Sequence, residues 1–224
     1  MSEVFDFGDW NGPVAAHRHE NGGGWVANTA SVAPSAYVGP DARVYGMARI
    51  DDAARVFGKA QVFGEARVFG EARVFGAARI CQGARVYGEA WVWGEAWVWG
   101  EARVYENAVA SGEARVLDNA RVSGKARVSG NAWVSGNAWI SGKARVFGEA
   151  RVFGEAWIYD NARVSDNARA WGRSRVHDEA RVFGDAVVFS DAVVSGKARV
   201  FGEARVFGEA RVFGEARVFE GKYQ

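Results

Sequence analysis

Gly64-Glu65-Ala66-Arg67-Val68-Phe69-Gly70-Glu71-Ala72-Arg73-Val74-Phe75 is one six-residue phrase written twice. Valine or isoleucine keeps this spacing from Val26 to Val218 without insertion or deletion. That makes 33 units, and alanine replaces the β-branched residue only at Ala110 and Ala170. Two residues ahead of it stands alanine, with exceptions at Gly24 and Ser174. Alternate residues of an extended strand share a face, so Ala66 and Val68 point one way while Glu65, Arg67 and Phe69 point the other. Two and three residues after the valine come pairs such as Gly-Glu, Gly-Asn, Asp-Asn and Ser-Asp. These residues accept the positive φ of a sharp corner. Each unit reads as one short strand and a corner.

A lone strand of this kind buries nothing. Stacked coils bury a great deal, because alanine and valine from every layer then fill one narrow continuous core. Three units make an 18-residue triangular coil, so the 33 units give 11 coils. At ~4.8 Å per layer the rod is about 50 Å long.

The small-x-aliphatic phasing over residues 25–219 resembles the hexapeptide-repeat superfamily, whose fold is a left-handed parallel β-helix; the handedness comes from the resemblance, since the period alone does not set it. Many members place glycine directly after the aliphatic residue. Here an aromatic or serine fills that slot and glycine follows, as in Val68-Phe69-Gly70. This variant, with its lead-in Asn21-Gly22-Gly23-Gly24-Trp25-Val26, is similar to repeats of uncharacterised bacterial and phage proteins, some labelled acetyltransferases. That label follows the fold, and a fold does not define a chemistry. The expected organisation is all-β: a cap over residues 1–24, the β-helix over 25–219 and a tail over 220–224. The cap segment breaks the period and carries Phe5, Phe7, Trp10 and Pro13, the kind of apolar cover an open solenoid end requires.

With 28 basic and 27 acidic residues the net charge is +1, so no global field recruits nucleic acid or a membrane. Residues 1–20 do not resemble a signal peptide, and no stretch approaches a membrane span. One cysteine, Cys81, fits a reducing compartment, which makes the cytoplasm the default expectation.

Function is then sought in the outward positions, which sort into three faces by adding 18. The slot after the valine carries aromatic ladders, seven rings on each of two faces and five on the other. Arginine precedes the valine in 21 units. It is expected to lie along these rings and to pair with the glutamate two residues earlier, as Arg67 with Glu65 beside Phe69. Exposed ladders would otherwise favour self-association into a homo-oligomer, or contact with another macromolecule.

One face stacks Arg127, Arg145, Arg163, Arg181, Arg199 and Arg217, flanked by Phe147, Phe183, Phe201 and Phe219. A line of guanidiniums with interleaved rings could grip a glycan or, less favoured, a nucleic acid. In the middle of the chain Ser111, Ser123, Ser129, Ser135 and Ser141 replace rings, and Trp133 and Trp139 sit among them, a second candidate contact region.

Catalysis has little to work with. The superfamily resemblance implies a histidine base near a subunit boundary for an acyltransferase, and three histidine ligands for the related zinc carbonic anhydrases. The chain has His17, His19 and His177 only, and the register never slips to admit a loop. His177 is the one repeat-borne candidate base, and otherwise a replacement for a ladder ring. His17 and His19 are weak metal-ligand candidates, two imidazoles without a third. Cys81 beside Arg79 is a weak candidate for a reactive thiol. No cofactor motif stands outside the repeat. The reading is a non-enzymatic structural or binding solenoid, with an interfacial acyltransferase as the alternative.

Overall fold

The computed structural model describes residues 3–224, so Met1 and Ser2 of the cap segment lie outside the described residues. The described chain forms 36 strands, β1–β36, and no helix. From β3 (Trp25–Ala27) to β35 (Arg217–Val218) a strand recurs every six residues, almost always two residues long because the corners leave only the Arg-Val pair extended. Every third strand joins the same sheet, so the chain winds into a three-sided parallel β-solenoid of 11 coils. The register step is 18 residues, Arg49 beside Arg67 beside Arg85. The residues before and after each valine donate their N–H to the next coil, Arg67 N to Ala84 O at 2.9 Å and Phe69 N to Val86 O at 3.1 Å.

The interior is the alanine and valine pair of each unit, with Ala66, Val68, Ala72 and Val74 all fully buried. Ala110 and Ala170 keep the aliphatic slot and Ser174 the small slot. Corners carry the positive φ the sequence demands. Gly64, at φ +68°, could not take a side chain cheaply, because an added Cβ would lie 2.9 Å from the backbone nitrogen of Gln82 in the next coil. Where an aspartate takes this position it compensates. Asp52, Asp118, Asp166 and Asp178 each accept a hydrogen bond from the backbone N–H one coil later, at 2.8–3.0 Å.

Call the sheet that begins with β1 sheet I. The sheet beginning with β4 (Ser31–Val32) is sheet II, and that beginning with β5 (Tyr37–Val38) is sheet III. The N-terminal segment departs from the repeat, but not as loose cover. Its strands β1 (Glu3–Phe5) and β2 (Val14–Arg18) pair antiparallel and extend sheet I beyond β3. Phe7 stacks on Tyr45 and Phe5 on Trp25, giving the hairpin a small core of its own. At the other end β36 (Lys222–Tyr223) adds to sheet I beside Arg205 and Val206. Among the described residues no helix is long and apolar enough to cross a membrane.

Candidate binding face

The outward ladders exist, but their cover differs from the sequence expectation. Rings one coil apart stack on each other: Tyr45 on Phe63 at 4.9 Å with planes 3° apart, Phe69 on Tyr87 at 4.8 Å, and Trp171 between Phe153 and Phe189. The ~4.8 Å advance of a parallel sheet lies close to the preferred spacing of offset-stacked rings, so the fold itself closes the ladder. Arginine–glutamate pairs contribute no cover. Among the described residues the ion pairs are Arg49–Asp51, Arg173–Asp191 and His177–Asp178, and Arg67 is not joined to Glu65. Glu65 belongs to the corner rather than to the strand, and an exposed pair there would gain little against side-chain entropy and screening. A few guanidiniums lie over tryptophans that replace arginine in the same column, Arg73 over Trp91 at 4.9 Å and Arg79 over Trp97 at 5.0 Å, and Arg55 lies over the following ring of its own unit, Phe57, at 5.9 Å.

Sheet III carries the arginine ladder as the period predicts. Arg127, Arg145, Arg163, Arg181, Arg199 and Arg217 stand in direct register in successive coils, all exposed. None enters an ion pair among the described residues. Beside them Phe183 stacks on Phe201, and Phe201 meets Phe219 at a 47° tilt. Phe147 lies between Ser129 and Ser165 in its column and is left 37% exposed.

Ser111 and Ser129 interrupt this ring column in two successive coils. The gap leaves a groove of about 440 Å³ lined by Phe75, Trp91, Trp93, Val109, Ser111, Arg127 and Ser129. Trp91 and Trp93 each remain 40% exposed on its wall, so the groove has an aromatic platform, two hydroxyls and a guanidinium.

The charge around it is uneven. Residues 119–148 contain no aspartate or glutamate but five cations, Arg121, Lys125, Arg127, Lys143 and Arg145. The rest of the chain holds the other 23 cations against all 27 acids. Four of the five lie in two consecutive coils, Arg127 and Arg145 on sheet III and Lys125 and Lys143 on the corner leading into it. The near-zero net charge hides this band; counting charge coil by coil makes it visible.

The tryptophans of the middle coils do not join the groove. Trp133 is on sheet I beneath Arg115, and Trp139 is on sheet II, where its indole N–H donates to Ser123 Oγ at 3.1 Å. The serine-rich region is therefore spread around three faces of the middle coils.

The remaining candidates find separate places. His17 Nδ1 lies 2.9 Å from Asn28 Oδ1, while His19 is buried with Nε2 donating to the Ala36 carbonyl at 3.0 Å. The two imidazoles thus have different partners and are not gathered as a ligand pair. Cys81 is buried, and desolvation outweighs the opposing Arg79 charge, raising its thiol to about 11. This overturns the expectation of a thiol activated by arginine. His177 does replace a ladder ring, stacking on Tyr159 at 4.7 Å and 8°. Its Nδ1 lies 3.3 Å from an oxygen of Asp178, and Asp160 of the preceding coil completes a close group. Sequence inspection missed that group, although 160 plus 18 is 178.

These observations define a β-solenoid repeat protein. The YdcK beta-solenoid repeat model matches residues 126–142 and 156–172, both inside the regular coils. A comparison with curated proteins gave no match.

Proposed function

We propose that this solenoid is a rigid, non-catalytic rod that makes macromolecular contacts through its outer columns, with sheet III as the face for an acidic polysaccharide. The observation that carries the reading is that the Trp91/Trp93 groove meets, at Arg127 and Ser129, the acid-free band that also holds Lys125, Lys143 and Arg145. Aromatic faces suit the apolar faces of sugar rings, guanidinium and ammonium groups suit their carboxylates or sulfates, and serine hydroxyls suit their hydroxyls. Unpaired arginines suit this role because no intramolecular ion pair must be broken before they meet an anion. The ladder repeats at ~4.8 Å, whereas the phosphates of one duplex strand advance about 3.4 Å along the helix axis, so the ladder is out of register with a duplex.

Calorimetric titration with polygalacturonate, a neutral polysaccharide and single-stranded DNA tests this reading. The expected result is binding of the acidic glycan that weakens roughly tenfold or more between low and physiological salt. Equal binding of the neutral polymer, tighter binding of DNA, or no binding at low salt contradicts it.

Self-association is a second reading, favoured by Trp10, which is fully exposed at the hairpin turn with φ +69°. A bulky ring held in that conformation and left in water is a natural anchor for a second copy. Sedimentation that shows a monomer at every concentration removes it. An acyltransferase acting between subunits would need a partner to build a pocket over the half-buried His177.

A further inference from the structure

We infer that Asp160, His177 and Asp178 form a binding site for a late first-row divalent metal ion, of the Zn²⁺ or Ni²⁺ type, on the corner that leads from sheet II to sheet III. One ligand atom from each residue lies within 4.8 Å of the others. First-row metal bonds of about 2.0–2.2 Å place neighbouring ligand atoms roughly 3–3.5 Å apart. The His177–Asp178 pair, at 3.3 Å, already meets that spacing, and a small side-chain rotation brings in Asp160.

Three departures from the repeat converge here. This corner position is glycine in most coils, and only Asp160 and Asp178 put acids there in consecutive coils, at φ +57° and +59°. The adjoining ring column, which holds Phe69, Tyr87, Tyr105 and Tyr159, changes to imidazole at His177. Stacking on Tyr159 fixes the plane of that imidazole and leaves Nδ1 facing the carboxylates.

The carboxylates also have a structural task. Asp178 Oδ2 accepts from Gly196 N at 2.8 Å and Asp160 Oδ2 accepts from Asp178 N at 3.4 Å. Those bonds orient both side chains and use one lone pair of each; Asp178 Oδ2, which accepts from Gly196, is also the oxygen 3.3 Å from His177 Nδ1, and its second lone pair is open to a metal. The two aspartates line a groove of about 550 Å³, where Asn161 and Glu179 add oxygen donors and Lys143 adds one opposing charge. An imidazole with two carboxylates selects a borderline metal over calcium, which prefers six to eight oxygens.

Isothermal titration with Zn²⁺ of the wild-type chain, His177→Phe and Asp160→Asn tests the site. His177→Phe keeps the ring stack, since Phe69 and Phe213 occupy the same column, and Asp160→Asn keeps a carbonyl oxygen for the Asp178 N–H. His17 and His19 persist in all three proteins, so the difference reads this site alone. The expected outcome is one site per chain that weakens more than tenfold in either variant, together with a Zn²⁺-dependent shift of the His177 Nδ1 resonance in ¹⁵N spectra. Identical titrations of wild type and His177→Phe, or no uptake up to millimolar Zn²⁺, overturn the assignment.

Discussion

Single residues in this fold are judged by which side of the coil they face. Ser174 stands in the small interior slot that alanine fills elsewhere, and its hydroxyl has no hydrogen-bond partner among the described residues. An unsatisfied buried hydroxyl costs about 1–3 kcal/mol, so Ser174→Ala should raise unfolding stability by about 1 kcal/mol in urea titrations; a loss of stability would show that the hydroxyl has a partner after all. Cys81 gives a pH prediction. Its thiol rises from 9.0 to about 11 on folding, so the unfolded chain releases this proton first as pH climbs. The stabilising contribution is complete below pH 9 and is lost between about pH 9 and 11. Cys81→Ala should therefore lose less stability across that window than the wild type, and the native thiol should resist Ellman's reagent at pH 8 until urea unfolds the chain. Rapid native labelling would contradict the burial. The glycine and valine roles were legible in single letters, because conformational preference and period are local. Thiol ionisation depends on what the neighbouring coils bury, so a reading of Arg79 beside Cys81 pointed the wrong way.

At the scale of an element, the unit is a two-residue strand that cannot persist alone, and its stability is borrowed from the coils above and below. The N-terminal hairpin is different, since β1 and β2 run antiparallel and carry their own Phe5, Phe7 and Tyr45 contacts. Phe7 is 3% exposed, and truncating such a ring costs about 3–5 kcal/mol. Phe7→Ala should expose the amides of β2 and β3 to hydrogen exchange while the middle coils keep their protection. Uniform loss of protection along the chain would mean that the hairpin and coils unfold as one unit. The sequence pointed to a cap from its apolar content and broken period. Its antiparallel pairing could not be read there, because a hairpin turn at Asp9-Trp10-Asn11-Gly12 gives no repeat to follow. The expected arginine–glutamate pairs failed for a related reason: alternation assigns sides on a strand, and the glutamates sit on corners where alternation ends.

Across the whole molecule, the interior is nearly uniform and the exterior is not. Nearly every coil offers the same alanine and valine or isoleucine to the core, Ala110, Ala170 and Ser174 apart, so the core marks few places along the rod. Distinction comes from the columns: six unpaired arginines on sheet III, a groove where two serines break the ring stack, and an acid-free band in a chain of net charge +1. The arginine column followed from adding 18 to a residue number, because the register never slips. The groove did not, because its depth depends on which rings stack and which are missing.

The most direct measurement compares two fourfold variants for salt-dependent binding of polygalacturonate. One replaces Lys125, Arg127, Lys143 and Arg145 by glutamine; the other replaces Arg115, Arg151, Arg169 and Arg205 of sheet I in the same way, so both lose the same charge from exposed positions. If the sheet III face makes the contact, the first variant loses binding by tenfold or more while the second stays close to the wild type. Equal losses in the two variants would contradict the account, because the glycan would then be reading total charge rather than one face of the rod.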